Sequence, residues 1–113
     1  MIIWGLKNCD TCRKALKYCD ENGIAYNARD VRSDGLDRDT IARIVEALGV
    51  GGSVNRRSTT WRNLAPEQRE NLDETTAIAL LADNPTLLKR PVFIKENSIF
   101  AGFGDNQKAR LTG

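Results

Sequence analysis

MIIWGLKNCDTCRKALKYCDENGIAYNARDV, Met1 to Val31, carries the reading of the fold. Met1 to Leu6 is a short apolar run with β-branched and aromatic side chains, and reads as a buried strand. Asn8 to Asp10 break it. From there to about Asn22 the residues Cys12, Ala15, Leu16 and Cys19 recur at i, i+3, i+4 and i+7, which is one face of a helix. Gly23 stands where a glycine beyond the last turn ends a helix. Ile24 to Val31 reads as a second strand. Strand, helix and strand within about 30 residues form a βαβ unit, so the two strands run parallel.

Working outward, Asp37 to Leu48 reads as a second helix with Ile41, Ile44, Val45 and Leu48 as its buried stripe, stopped by Gly49. Gly51 to Thr60 reads as a polar loop. Pro66 stands at the first position of a third helix, with Glu67 in its first turn. Thr75 to Ala82 reads as a fourth, with Ile78, Leu81 and Ala82 inward, ended by Asn84-Pro85. Pro91 to Ile94 and Ser98 to Phe103 flank a polar turn at Glu96-Asn97 and read as an antiparallel hairpin. The tail from Asp105 has room for a short helix. A parallel pair plus a hairpin gives an α/β fold with a mixed four-stranded sheet. A thioredoxin-like core with a helical insertion between its βαβ and ββα parts fits this order; other small α/β arrangements fit it too.

The chain has 113 residues, which predicts one domain over 1–113. Its apolar and charged fractions, 41% and 28%, are those of a soluble globular protein. A net charge of +2 is too small to argue for nucleic acid, and no apolar run approaches the roughly 18 to 20 residues of a membrane span. No basic flank, apolar core and cleavage site precede the first strand, so a cytoplasmic protein is expected. Histidine is absent, which removes the commonest general base and metal ligand. The cysteines, Cys9, Cys12 and Cys19, are odd in number and clustered, unlike a secreted disulfide framework. No second ligand pair follows them, so no metal site is expected.

Cys9-Asp10-Thr11-Cys12 is a CxxC set directly between a strand and a helix. The first cysteine there lies near the free N–H groups of a helix N-terminus, which stabilise a thiolate together with the helix dipole. Lys7, Arg13 and Lys14 add positive charge, and Asp10 opposes them. Thiolate is the attacking species in disulfide exchange and oxyanion reduction. Cys12 is one turn on and can resolve an adduct on Cys9, although it also belongs to the apolar stripe. Cys19 completes that stripe and reads as packing.

Arginines are the second signal. Arg56, Arg57 and Arg62 surround Ser58-Thr59-Thr60-Trp61, and Arg90 directly precedes Pro91. Most arginines solvate a surface, yet guanidinium groups also hold oxyanions, carboxylates and phosphates through paired hydrogen bonds. In thioredoxin-like domains a cis-proline opens the strand beside the active cysteine, and Pro91, at the head of Val92-Phe93-Ile94, is placed to do so.

Four blocks occur in order: K-N-C-D-T-C-R-K-A (Lys7 to Ala15), R-x-T-T-W-R-x-L (Arg57 to Leu64), K-R-P (Lys89 to Pro91) and G-F-G-D (Gly102 to Asp105). Together they resemble the ArsC/Spx family, most closely its YffB-like branch, over nearly the whole chain. The resemblance implies a thioredoxin-like fold with a helical insertion, and a thiol-dependent, arsenate reductase-like enzyme. Arsenate reductases of this family use one cysteine after the first strand and three arginines. Cys9 matches that cysteine, and Arg57 and Arg90 match two of the arginines. Ala101-Gly102 stand where the third is expected, which implies weak or absent arsenate reduction.

The catalytic candidates are therefore Cys9 and Cys12, and the anion-binding candidates are Arg57, Arg90, Asn8 and Thr11, with Pro91 as the cis-proline. No tightly bound cofactor is expected; glutathione, an anion with two carboxylates, is the implied co-substrate. The implied partners are a small thiol or oxyanion substrate and a glutaredoxin or thioredoxin, acting on a monomer without contact to nucleic acid or membrane. The CxxC also resembles Spx, a regulator that binds RNA polymerase and senses oxidation through its cysteine pair, and that resemblance implies a redox-sensing role without turnover as the alternative.

Overall fold

The computed structural model describes residues 1–112. The apolar run at the N-terminus forms β1 (Ile2–Gly5), followed by α1 (Asp10–Glu21) and β2 (Asn27–Asp30). The insertion comprises α2 (Arg38–Ser53), α3 (Thr59–Arg62), α4 (Pro66–Arg69) and α5 (Glu74–Asp83). The chain closes with β3 (Val92–Lys95), β4 (Ser98–Ala101) and α6 (Asp105–Thr112). The strands form one mixed sheet in the order β2-β1-β3-β4, with β1 parallel to β2 and antiparallel to β3, and β3 antiparallel to β4. This is the thioredoxin-like arrangement, one of the small α/β arrangements that fit the element order and the one that the family resemblance implies.

The period of two along each strand divides the core between the two faces of the sheet. Ile3 and Phe93 face α1 and α6, where they pack with Ala15, Cys19, Phe100 and Leu111. Trp4, Val92 and Ile94 face the insertion, where they pack with Ile41, Ile44, Val45, Ala77 and Leu81. Phe93 is fully buried and stacks on Phe100 with ring centroids 4.9 Å apart. Among the described residues no helix is long and apolar enough to cross a membrane.

Several boundaries depart from the sequence reading, each for a local reason; the last strand, expected through Phe103, ends at Ala101, where Gly102 turns with φ 89°. The second strand, expected over Ile24 to Val31, is only Asn27–Asp30. At its start the Ile24 N–H still bonds the Cys19 carbonyl of α1. At its end Asp30 accepts bonds from the Arg32 and Ser33 N–H groups and turns the chain into the wide helical turn Val31–Gly35. Gly51 to Thr60 is not a plain loop. Gly49 leaves helical geometry with φ 75°, as a stop glycine does, but α2 resumes as one more turn through Ser53. The buried Val54 fastens that turn, its N–H bonding the Val50 carbonyl at 3.1 Å. The same loop ends early, because the Ser58 hydroxyl accepts the Trp61 N–H at 3.1 Å and caps α3. The third and fourth helices are α4 and α5; α5 begins one residue early, where Asp73 and Thr76 form a reciprocal cap.

Candidate active site

The site lies where β1, α1 and β3 meet. Cys9 is the N-cap residue of α1, with extended φ and ψ of −110° and 115°. Its carbonyl accepts the Arg13 N–H at 3.0 Å. The turn before it is fixed at both ends. The Cys9 N–H bonds the Leu6 carbonyl at 3.1 Å, and the Lys7 N–H bonds Asp30 Oδ2 at 3.0 Å. Asp30 is buried, and burial opposes its ionisation. The backbone N–H groups of Ser33, Arg32 and Lys7 outweigh that and hold its carboxyl below the usual carboxylate range.

Cys9 is half-buried and Cys12 is buried at 4% exposure. Burial works against ionisation of Cys9, but hydrogen bonds from the Cys12 thiol and N–H, together with the Arg90 guanidinium, outweigh it, and the Cys9 thiol sits below its ordinary value. Burial and the adjacent Cys9 push the Cys12 thiol the other way, up to about 12. The two sulfurs thus divide the roles of anion and proton donor. Cys19 is fully buried; burial and the Asp20 charge raise its thiol, and it packs in the core with Ile3 and Phe93.

Cys12 fits because residue 5 is glycine. A Cβ there would lie 3.0 Å from the Cys12 sulfur and 3.2 Å from its Cβ, closer than side chains ordinarily pack. Gly5 is a site residue that its place in an apolar run conceals; the signal was a glycine inside a strand, which marks close approach of another chain segment.

Arg90 precedes Pro91, and the bond between them is cis. Its Nη1 donates to the Thr86 carbonyl at 2.6 Å, and its Nε is buried with no hydrogen-bond partner among the described residues. The Thr86 hydroxyl in turn lies 2.8 Å from the Thr60 hydroxyl. Thr60 and Thr86 also escaped the sequence reading, although Thr60 lay inside a conspicuous block.

The other candidates are less gathered. Arg57 is exposed on the connection between α2 and α3, and its N–H bonds Asn55 Oδ1 at 3.1 Å while its carbonyl accepts from Arg62 Nη2 at 3.2 Å. Among the described residues its guanidinium makes no hydrogen bond or ion pair. Asn8 and Thr11 flank Cys9 and are exposed. No three His, Cys, Asp or Glu side chains among the described residues converge as metal ligands do.

A thioredoxin-like sheet with a cysteine pair at the start of its first helix and an arginine before a cis-proline defines a class of thiol-bearing domains. Within it, the model of the ArsC family matches residues 4–111, and the chain belongs to that family. An uncharacterized protein of Haemophilus influenzae is 42% identical over 105 residues, covering 93% of this chain and 92% of that one. The global transcriptional regulator Spx of Staphylococcus haemolyticus is 30% identical over 92% of this chain and 80% of its own length. The solved structure of a YFFB protein superposes with a TM-score of 0.93 at 34% identity, over 99% of this chain and 98% of that one.

Proposed function

We propose that the protein is a thiol-dependent reductase of small anionic disulfides, with Cys9 as nucleophile, Cys12 as resolving thiol and glutathione as reductant. The observation that carries this reading is geometric: Cys9 stands at the N-cap of α1, buried Cys12 lies one turn on, and Arg90 precedes the cis-proline, an arrangement that holds the Cys9 thiol below its ordinary value and pushes that of Cys12 up to about 12. A poised thiolate beside a protonated thiol suits disulfide exchange. The Cys9 thiolate attacks one sulfur of the substrate disulfide. A Cys9–substrate S–S bond forms, the substrate bond breaks, and the departing thiolate takes a proton. The Cys12 sulfur then attacks that of Cys9, its proton passes to the second leaving thiolate, and a Cys9–Cys12 disulfide remains. The substrate has gained two electrons and the cysteine pair has lost two; two glutathione molecules, or one dithiol protein, return them.

Arg90 and Arg57 are the proposed anion contacts, with Asn8 and Thr11 at the rim. The test is turnover of the cysteine–glutathione mixed disulfide, coupled to glutathione reductase and NADPH consumption. Turnover that disappears in Cys9→Ser supports the reading; no turnover by the wild-type protein overturns it. The likeness to Spx favours a second reading, a regulator whose cysteine pair reports oxidation. It calls for a Cys9–Cys12 disulfide in oxidised protein together with no turnover.

A further inference from the structure

A cavity of about 330 Å³ opens beside the cysteine pair, between α1 and the outer edge of the sheet at β2. That volume is in the range that accepts small organic ligands. Its apolar walls are Ile3, Leu6, Leu16 and Ala28, with Gly5 and the Cys12 side chain between them. The cavity follows from the sheet order. Ala28 pairs with the buried Ile3 but lies on an edge strand and is exposed. Cys12 lines the cavity and Cys9 does not. An occupant therefore meets the resolving thiol without entering the space in front of Cys9 and Arg90.

The charged rim decides what these walls can hold. Asp30 and Asp34 border the cavity, but both carboxylates are already engaged by backbone donors. Asp30 accepts from the N–H groups of Lys7, Arg32 and Ser33, and Asp34 from that of Asp30. Arg13 is held by the Lys7 carbonyl and by Asp10. The Lys7 ammonium and the Arg29 guanidinium, both in the lining, make no ion pair among the described residues. A cationic ligand would find one uncommitted oxygen, Asp34 Oδ1, whereas an anionic one meets two uncommitted cations, the Lys7 ammonium and the Arg29 guanidinium. We propose that this cavity is a second ligand site, separate from Cys9, for a small carboxylate with an apolar body, its chain against Ile3, Leu16 and Ala28 and its carboxylate at Lys7.

Octanoate is the probe, with 1-octanol as its neutral counterpart and inorganic sulfate as a competitor for the Cys9 side. Titration into the reduced full-length protein, followed by amide NMR, is expected to give saturable shifts at Ile3, Leu6, Leu16 and Ala28, unaffected by excess sulfate. Octanol with the wild type, and octanoate with Lys7→Gln, are each expected to bind about tenfold more weakly. Ala28→Phe fills the cavity from an exposed position and is expected to remove the shifts while the spectrum stays dispersed. Shifts that scatter over the surface without saturating, displacement of octanoate by sulfate, equal affinity for octanol, or undiminished binding by Ala28→Phe or Lys7→Gln would each overturn the proposal.

Discussion

Arg90 Nη1 donates to the Thr86 carbonyl oxygen at 2.6 Å, so the guanidinium beside Cys9 is aimed from the short turn Pro85–Leu87. That turn is tied to α3 by the Thr60–Thr86 hydroxyl pair at 2.8 Å, and to the end of α2 by the Asn55 N–H on the Leu87 carbonyl. The helical insertion thus orients a charge that acts on a cysteine in another part of the chain. Arg90→Ala is expected to raise the midpoint of Cys9 ionisation, because the guanidinium is one of the groups that favour the thiolate. Thr60→Val is expected to raise it by less, and Thr60→Ser to restore it. The rate of iodoacetamide alkylation against pH, read at Cys9 by mass spectrometry, checks all three.

The two thiols also make opposite contributions to stability. Cys12 is raised by burial first and by Cys9 second, up to about 12. Between the ordinary thiol value and that point the unfolded chain has lost a proton that the folded chain keeps, so stability falls as pH rises. Cys9 is lowered, so its contribution is present above the unfolded value and is lost as pH falls through the folded one. Urea denaturation from pH 8 upward is expected to show a decline that is shallower in Cys12→Ala than in the wild type.

Gly5 and Cys12 are expected to couple. Gly5→Ala puts a methyl 3.0 Å from the Cys12 sulfur, and should cost about 1–3 kcal/mol by overpacking. In a Cys12→Ala background the same substitution meets less resistance, so the two changes should be non-additive. Denaturant midpoints of the two single variants and the double variant measure this; strict additivity would show that the contact relaxes elsewhere.

Arsenate is expected to be a poor substrate. The third arginine that the family resemblance calls for is replaced by Ala101-Gly102, and the Gly102 N–H is spent on the Pro91 carbonyl at 2.9 Å. One charge-assisted hydrogen bond fewer lowers affinity or rate by about one to two decades. Glutathione is expected to bind more tightly than arsenate, and both to weaken in Arg57→Ala and Arg90→Ala. Calorimetric titration of both ligands, with arsenate turnover in parallel, checks the order.

Much of this was legible in the residues themselves. Helix and strand periods, the glycine after α1 and the prolines at 66 and 85 marked most elements, because those signals are local properties of the backbone and of one buried face. The CxxC between a strand and a helix likewise declared the place of Cys9, since an N-cap position follows from chain order alone. Tertiary structure decided what depends on residues far apart. The turn at Val50 to Ser53 exists because Val54 is buried against the insertion core, which outweighed two adjacent glycines. Gly5 became part of the site only when α1 folded back over β1 and brought the Cys12 sulfur against it. Arg90 acts on Cys9 across some eighty positions of chain because β3 pairs beside β1. The cavity beside Cys12 follows from β2 lying at the edge of the sheet, a consequence of strand order in space that a linear pattern of apolar residues does not contain.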